Sequence, residues 1–348
     1  MLRHSNRGPS TGDARTGGLI DVHAHCLPKS YLDAARATGL SVFDGGFPIP
    51  RWDADEAVAF MDRAGIDFQL LSLASPPVHT LADGAQADAL AACANEEIAA
   101  IVAERPERFG STAVLPLPNV EGALKAIEYC FGELGVSAVT LFTHYAGVYL
   151  GDPMFEPVFA ALADWEAVVL LHPTSPVCWE ATTLGRPSPV LEFPLDTTRA
   201  VTNLLYSGTL QRYPGLRVVV PHAGAAIPAL AWRLASFAGD MPMPGRAPGL
   251  SPQGILDQIG SLYYDVALSG NEPALAALLS VTDPGHLLYG SDYPFAPEPA
   301  VAANTDGLFA SEHLDVAALE GVMRTNAVTL LDPPLSSVRH QRLLGEAS

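Results

Sequence analysis

Positively charged residues are scarce in this chain of 348 residues. It carries 19 Lys plus Arg against 38 Asp plus Glu, which gives a formal net charge of −19 at pH 7. Proteins that bind nucleic acid place clustered Lys and Arg against the phosphates, and an acidic surface is repelled by anionic membranes. We therefore expect neither nucleic acid nor a membrane among the partners of this protein.

Cysteine pairs and long apolar runs are missing too. No apolar run reaches the roughly 20 residues of a membrane span. The polar segment 1–18 lacks the apolar core of a secretory signal and is interpreted as a flexible N-terminal tail, and residues 336–348 are interpreted as a C-terminal tail. A reducing, cytoplasmic location is expected, because no C-x-x-C spacing occurs among the four cysteines, Cys26, Cys93, Cys130 and Cys178.

Three common catalytic signatures are also absent: a Gly-rich phosphate loop, the G-x-S-x-G nucleophile elbow and the dinucleotide-binding fingerprint. Hydrophobic residues nevertheless make up 49% of the chain and charged residues only 16%, so we expect a large buried core rather than disorder. The length allows either one large α/β domain or two smaller ones.

Short apolar or β-branched segments recur along the chain, with segments of helical period between them. This alternation is typical of parallel βαβ units. Eight such units predict a (β/α)8 TIM barrel over residues 19–335, with a doubly wound sheet as the alternative. Asp53 and Thr197 are predicted as helix N-caps. The predicted strands are Leu19–Val22, Phe68–Leu73, Ser111–Leu115, Ala138–Phe142, Ala167–Leu171, Arg217–Val220, Leu262–Val266 and His286–Tyr289.

Three long loops interrupt the pattern. Cys26–Trp52 follows the first predicted strand, Pro173–Asp196 follows the fifth, and Gly239–Pro252 is rich in Pro, Gly and Met. The active sites of TIM barrels lie at the carboxyl ends of the strands. We therefore expect the first two loops at the catalytic face, where they would cover a substrate pocket.

The sequence Asp21-Val22-His23-Ala24-His25 ends the first predicted strand. Side chains alternate along a strand, so His23 and His25 point to the same side, which is the interior if the strand belongs to a barrel. Two imidazoles in that position can bind one metal. The alternative is that two histidines flank an alanine by chance.

Three further strand ends carry residues that commonly bind metals. His172 ends the fifth predicted strand, His222 ends the sixth, and Asp292 follows the eighth. Each comes after an apolar run and so lies where the chain leaves the core. Buried polar groups need partners, and joint coordination of a cation would supply them.

With these motifs, the sequence resembles the metal-dependent amidohydrolase superfamily. The likeness is to its amidohydrolase-2 branch, which includes aminocarboxymuconate-semialdehyde decarboxylase and other aromatic-acid decarboxylases. The resemblance runs from about Leu19 to Leu331, and Leu191–Leu210 is similar to the 6-methylsalicylate-decarboxylase-like subgroup. It is carried by Ile20-Asp21-Val22-His23-Ala24-His25-Cys26-Leu27-Pro28, Leu171-His172-Pro173, Asp196-Thr197-Thr198, Pro221-His222-Ala223-Gly224, Tyr264-Asp265 and Gly290-Ser291-Asp292-Tyr293-Pro294-Phe295.

The resemblance implies one divalent metal held by four residues, His23, His25, His172 and Asp292. It also implies that His222 is the catalytic acid or base beside a metal-bound water, and that the protein is a homodimer. Three neutral imidazoles and one carboxylate leave a site charge of about +1, which lowers the pKa of a bound water toward ~7. Zinc is the first expectation, and manganese suits the same nitrogen and oxygen ligands.

A second metal is not expected. Members of the superfamily with two metals usually present a carbamylated lysine at the end of the fourth strand, and the segment Ala138–Tyr145 of this chain contains no lysine. The resemblance therefore implies a mononuclear site.

Residues around the metal are expected to orient the acid/base and bind the substrate. Asp265 would orient His222 through a hydrogen bond, or would instead act as a helix cap or salt-bridge partner. Arg51 and Arg199 are candidates for binding a carboxylate, with a structural ion pair as the alternative for Arg199. The other predicted contacts are a histidine and three aromatic residues suited to a flat ring: His144, Trp52, Trp179 and Phe295.

Three functions remain open at this point. The first is a metal-dependent, non-oxidative decarboxylase of a small aromatic (hydroxybenzoate- or salicylate-like) or enol-type carboxylic acid, with His222 or the metal-bound water transferring the proton. The second is a metal-dependent hydrolase of a lactone, an amide or an activated carbon–carbon bond. The third is a barrel that only binds a ligand or a partner, which the intact set of metal and acid/base residues argues against.

Overall fold

The computed structural model describes residues 18–136, 138–239 and 244–331. Apart from Gly18, the two predicted tails lie outside the described residues. Eight strands form one sheet: β1 (Leu19–Cys26), β4 (Ile66–Leu73), β5 (Phe109–Ala113), β6 (Ala138–Phe142), β9 (Val168–His172), β10 (Arg217–Val220), β11 (Tyr263–Asp265) and β12 (Leu287–Leu288). Two hairpins lie outside it: β2 (Val42–Phe43) with β3 (Phe47–Pro48), and β7 (His144–Tyr145) with β8 (Val148–Tyr149).

The eight strands pair in parallel, in their order along the chain. The Val22 amide donates to the Tyr289 carbonyl (3.0 Å) and the His25 amide donates to the Tyr293 carbonyl (2.7 Å). These bonds bring the chain after β12 back to β1, so the sheet closes on itself. The predicted TIM barrel is confirmed, and the doubly wound alternative is wrong.

Helices between the strands, and three more after the last described strand, surround the barrel. They are α1 (Lys29–Ala37), α2 (Ala54–Ala64), α3 (Ala85–Glu104), α4 (Val120–Gly132), α5 (Glu156–Asp164), α6 (Trp179–Thr182), α7 (Glu192–Tyr206), α8 (Thr209–Arg212), α9 (Ile227–Phe237), α10 (Pro252–Ser261), α11 (Glu272–Leu279), α12 (Glu298–Ala310), α13 (Val316–Glu320) and α14 (Asn326–Leu331). Among the described helices, none has both the length and the apolarity needed to cross a bilayer.

Apolar side chains from non-neighbouring strands meet inside the barrel. Ile20, Leu70, Val168, Leu170 and Val219 belong to one buried cluster, and residues of strands so far apart in the sheet touch only across its interior. Because side chains alternate along β9, its last residue faces the same interior, one layer above. The apolar layer thus forms the floor beneath the strand-end histidines.

The segment predicted as a long first loop is partly regular. Helix α1 occupies Lys29–Ala37, where Tyr31 and Ala35 are fully buried one turn apart. The Tyr31 hydroxyl donates to the carbonyls of Ala74 and Pro76 (3.2 and 2.7 Å). This helix depends on contacts made far along the chain, so local apolar periodicity did not reveal it.

One predicted N-cap is confirmed and the other is wrong. The Asp53 carboxylate accepts from the Glu56 amide and starts α2. Thr197 instead lies buried within α7, which begins five residues earlier, at Glu192. Pro194 sits in the first turn of α7, where its missing N–H costs no helical hydrogen bond. The last five residues of the predicted loop Pro173–Asp196 are therefore helical.

A buried asparagine fastens α3 to the end of β5. The Asn95 amide donates to the Val114 carbonyl (2.9 Å), and the Val114 amide donates back to Asn95 Oδ1 (2.8 Å). We expect Asn95→Ala to lower the free energy of unfolding by about 2 kcal/mol, because it leaves two buried backbone groups without partners. Gln86→Ala, at an exposed position of the same helix, should change it by less than about 0.5 kcal/mol. Urea unfolding measures both, and equal effects would contradict the assignment.

Candidate metal centre and active site

Three histidine rings converge above the apolar floor of the barrel. His23 and His25 come from β1 and His172 ends β9. The ring centroids of His25 and His172 are 4.8 Å apart, and those of His23 and His25 are 5.1 Å apart. One nitrogen of each ring lies within 4.8 Å of the corresponding nitrogen of the other two. The structure therefore brings these predicted ligands together.

Each of the three rings is held by a hydrogen bond at its Nδ1 atom. His23 Nδ1 lies 2.9 Å from Asp265 Oδ2, and His172 Nδ1 lies 2.8 Å from the Pro173 carbonyl. The Ser72 hydroxyl donates to the Ala24 carbonyl, so its oxygen accepts from His25 Nδ1 at 3.0 Å. The Nε2 lone pairs are left to face one another, the arrangement that prepares imidazoles for a metal.

The buried atoms His23 Nε2 and His25 Nε2 have no hydrogen-bond partner. Buried polar atoms rarely lack one, so these two neighbouring nitrogens are suited to binding a cation. Asp292 adds a carboxylate, with Oδ1 3.3 Å from His25 Nε2 and 3.6 Å from His23 Nε2. The residues present thus fit one divalent metal with nitrogen and oxygen ligands.

Left-handed backbone places two of the site residues. Asp292 has φ +58° and His222 has φ +55°, a region that side chains other than glycine seldom adopt. The Asp292 amide donates to the His23 carbonyl (2.8 Å), which fixes the turn after β12 against β1. Such strain persists where the surrounding structure enforces it, typically at active sites.

His222 stands beside the three-histidine cluster, and together with His23 and Asp292 it forms a second group that could hold a metal ion. It follows β10, its side chain is 19% exposed, and its Nε2 atom lies 3.7 Å from Asp292 Oδ2. It also lines the cavity above the site. A half-buried imidazole in this position can exchange a proton with a molecule in the cavity.

Burial and neighbouring charges set the protonation of the ligands. Burial lowers the pKa of His25 and lowers that of His172 well below its usual value, the neighbouring imidazoles adding to the effect at His172. Burial alone would raise the pKa of Asp292, but the adjacent imidazoles of His222 and His25 hold it well below its usual range. Two neutral imidazoles and an ionised carboxylate are the forms that bind metal.

His23 differs from the other two histidines. Burial opposes its protonation, but the Asp265 carboxylate outweighs burial and raises the pKa of His23 to about 9 in the metal-free chain. The pKa of Asp265 is correspondingly lowered, despite its burial, by the charge on His23. A metal binding at Nε2 would take the place of the proton on that atom, while Nδ1–H keeps its bond to Asp265.

The sequence led us to expect that Asp265 orients the His222 ring, and the structure shows that it does not. Its Oδ2 atom bonds the ring of His23, and its Oδ1 atom accepts the backbone amides of His222 and Ala267 (both 3.1 Å). Asp265, at the end of β11, lies closer to the imidazole of His23 in β1 than to the side chain of His222, which follows β10 in a left-handed turn. Asp265 therefore supports a predicted metal ligand directly and the acid/base candidate through the backbone.

Asp21 is a supporting residue to which the sequence analysis assigned no role. Its fully buried carboxylate accepts from Gln69 Nε2 (2.9 Å), from the Ser291 amide (3.0 Å) and from the His23 amide (3.1 Å). Burial raises the pKa of Asp21 to about 6. It joins β1, β4 and the turn that carries Asp292. The pairing of β1 with β4 shifts register between Asp21 and Ala24, so simple strand alternation did not predict this role.

A largely apolar cavity opens above the predicted metal ligands. Its volume is about 700 Å³, within the range of small-molecule sites. Its polar lining consists of His172, His222, Asp292, Asp44, Ser75 and Ser269. Its apolar lining consists of Phe43, Phe47, Pro189, Leu191, Phe193, Pro194, Leu195, Ala225, Ala226, Leu268, Phe295, Ala296, Pro297 and Ala300.

Of the predicted substrate contacts, Phe295 alone lines this cavity. Arg51 is exposed beyond the β2–β3 hairpin, and Trp52 packs half-buried against the core. Arg199 lies 3.4 Å from the buried Asp196, in line with its alternative role as a structural ion pair.

Two further predicted contacts also fall outside the cavity lining. His144 is buried, with Nε2 2.9 Å from the Ser175 carbonyl and Nδ1 accepting from Gly147, and Trp179 sits half-buried in α6. The barrel rule predicted correctly which strand ends meet. It did not predict where loop side chains point, because that depends on how the loops pack.

No Lys or Arg lines the cavity within the described parts of the chain. An anionic substrate would therefore find its attraction at a metal rather than at a side-chain cation. This charge pattern suits a ligand with one anionic group at the metal end and an apolar body.

The chain belongs to the amidohydrolase family, whose model matches residues 20–332. It is 36% identical to a 6-methylsalicylic acid decarboxylase of Penicillium expansum over 84% of this chain and 90% of that protein. It is 29% identical to a gamma-resorcylate decarboxylase of Rhodococcus jostii over 90% and 98% of the two chains. The resemblance stated from the motifs is confirmed, including its subgroup.

Solved structures agree with the fold. A crystal structure of an amidohydrolase II protein superimposes with a TM-score of 0.83 at 30% identity, covering 90% of this chain and all of that one. A 5-carboxyvanillate decarboxylase of Novosphingobium aromaticivorans, solved with bound manganese, gives 0.82 at 22% identity over 93% and 99%. At 22% identity, the similarity to this second structure supports the barrel fold alone.

The Asp265–His23 bond predicts how a substitution affects metal binding. Asp265→Asn keeps the shape but removes the charge that holds the His23 ring, so we expect the affinity for a divalent metal to fall about 10- to 100-fold. Chelator competition measures the affinity, with Asp306→Asn on the exposed face of α12 as the control. Unchanged affinity together with a fall in kcat would instead assign Asp265 to His222.

Proposed function

We propose that this protein is a metal-dependent, non-oxidative decarboxylase of a small aromatic carboxylic acid, with a hydroxybenzoate of the salicylate type as the expected substrate. The observation that carries the proposal is the set of inward-facing Nε2 atoms of three histidines, with Asp292 beside them, at the base of an apolar cavity. His222 lies at the edge of this set, within the same cavity.

The decarboxylase is favoured over the hydrolase by the relatives described above. The fungal and bacterial relatives are named decarboxylases of aromatic acids, and the fungal one is 36% identical over 84% of this chain. The cavity agrees, since a flat apolar body is what its lining accommodates. A site for lactone or amide hydrolysis would use the same ligands, so the distinction lies in the cavity and the relatives.

We propose that His23, His25, His172 and Asp292 hold a single divalent metal. The three imidazoles and one carboxylate are compatible with zinc and with manganese. Zinc remains our first expectation from the ligand types, and the manganese in the carboxyvanillate decarboxylase supports the second. A homodimer in the cytoplasm is proposed on the resemblance to the family and on the reducing character of the cysteine pattern.

The metal end and the aromatic end of the cavity would together orient the bound acid. A bound divalent ion would supply the positive charge that attracts the carboxylate and an adjacent hydroxyl oxygen of the acid. The phenylalanine side chains above it hold the ring and exclude water, which strengthens the electrostatic contacts below. Phe295 packs edge-on against His25, with ring centroids 5.4 Å apart, and so reaches close to the ligands.

His222 is the proposed proton donor. Its Nε2–H would deliver a proton to the ring carbon that bears the carboxylate, which interrupts the aromatic system at that carbon. The bond to the carboxyl carbon then breaks, its electron pair returns to the ring, and CO2 leaves. The product carries a hydrogen where the carboxylate was, and His222 regains its proton from water.

Substitution of His222 tests the reaction. We expect His222→Gln to lower kcat for CO2 release from 6-methylsalicylate or a related hydroxybenzoate by about 10²- to 10⁴-fold, because proton delivery to carbon is lost. The metal content should not change, since this side chain lies beside the ligand set. His313→Gln, at an exposed position, is the control. No turnover of any hydroxybenzoate by metal-loaded wild type, with clear lactone or amide hydrolysis, would favour the alternative.

A further inference from the structure

The small hairpin β2–β3 supplies one wall of the cavity. Phe43 and Phe47, from its two strands, lie with ring centroids 6.1 and 5.8 Å from the ring of Phe295. Phe295 in turn packs against His25. The three phenylalanine rings, hereafter the aromatic wall, thus pack in contact with one another and extend from the predicted metal ligands along the side of the cavity.

The hairpin itself has little to hold it in place. Each strand has two residues, and an isolated hairpin even of ordinary length is only marginally stable in water. Its position must therefore be fixed by contacts with the rest of the barrel, namely the packing of the buried Phe43 against Tyr31 and the hydrogen bonds of the turn.

Asp44, in the turn of the hairpin, makes those contacts with one carboxylate oxygen. Its Oδ2 atom accepts from the Ser75 hydroxyl (2.7 Å), from the Thr174 hydroxyl and from the Ser175 amide (2.8 Å). Ser75 follows β4, and the other two donors follow β9. One oxygen therefore ties the hairpin to the carboxyl ends of two strands, through donors that are all buried.

The adjoining glycine shows how closely the turn is packed. Gly45 has φ +70°, and a Cβ placed there would lie 2.2 Å from Ser188 Cβ. The Ser175 hydroxyl donates to the Ser188 hydroxyl at 2.8 Å. The turn of the hairpin thus packs closely against the loop after β9, which contributes Pro189 and Leu191 to the cavity lining.

We propose that Asp44 is a positioning residue for the substrate ring, fixing the aromatic wall over the metal site through its three hydrogen bonds. Asp44 touches no predicted metal ligand through these bonds, so its effect falls on binding of the ring rather than on metal affinity. The kinetic part of this inference rests on the proposed reaction and its binding part on an aromatic acid as the ligand, whereas its structural part rests on neither.

Three variants of the metal-loaded full chain test the proposal. Asp44→Ala removes the acceptor, Asp44→Asn keeps an oxygen that can accept from the same donors, and Asp33→Ala removes an exposed carboxylate of α1 as a matched control. The readouts are amide hydrogen exchange of the hairpin, the Kd of 6-methylsalicylate from its own fluorescence, metal content, and kcat and KM.

For Asp44→Ala we expect exchange of the hairpin amides to rise and both Kd and KM to increase about tenfold, because bonds to a charged acceptor are lost. We expect kcat to change less than KM, and the metal content to stay the same. Asp44→Asn should recover Kd to within about threefold of wild type, and Asp33→Ala should match wild type throughout.

The proposal is overturned if Asp44→Ala leaves hairpin exchange and Kd unchanged, or if exchange rises while Kd does not. It is also overturned if the metal content falls in parallel with binding. Should Asp44→Ala fail to fold, as judged by circular dichroism, Ser75→Ala and Thr174→Val each remove one donor and must weaken binding in the same direction. If wild type binds the acid but never decarboxylates it, the proposed reaction fails while the Asp44 result stands on exchange and Kd.

Discussion

The structure of this site depends on one constraint: three imidazole Nε2 atoms face each other at a buried position in the barrel. Each ring is held by a hydrogen bond on its far side, from Asp265, Ser72 or the Pro173 carbonyl. Left without a cation, the buried lone pairs of His23 and His25 have no partner, a cost that ordinary packing avoids. The left-handed turns at His222 and Asp292 and the buried carboxylate of Asp21 help to hold the site residues together.

The acidic character of the chain affects how an anionic substrate reaches the cavity. A net charge of −19 opposes the approach of an anionic acid, and no Lys or Arg among the described residues lines the cavity to offset it. The attraction must therefore come from a bound metal at short range, while surface repulsion is screened beyond about 8 Å at physiological salt. This explains why the two arginines favoured from the sequence were poor candidates: Arg51 is exposed and Arg199 lies beside Asp196.

Strand-end chemistry was predictable because a closed parallel barrel gathers the carboxyl ends of its strands in one place. His23, His25, His172, His222 and Asp292 could be grouped from that rule alone. Loop packing was not predictable, since it follows from contacts between distant segments. Helix α1 depends on Tyr31 reaching the carbonyls after β4, and the aromatic wall depends on Asp44 meeting donors from two other strands. The ring partner of Asp265 was also missed, because its carboxylate meets the ring of His23 and only the backbone of His222.

The central claim, that these side chains assemble one metal site for an aromatic acid, is tested most directly by anomalous diffraction from metal-loaded crystals soaked with 6-methylsalicylate. The account predicts a single anomalous peak at about 2.0–2.3 Å from the Nε2 atoms of His23, His25 and His172 and from the Asp292 carboxylate. The acid carboxylate should lie on that metal, with the ring against Phe295. A metal bound elsewhere, two metals, or an acid bound away from the peak would contradict the account.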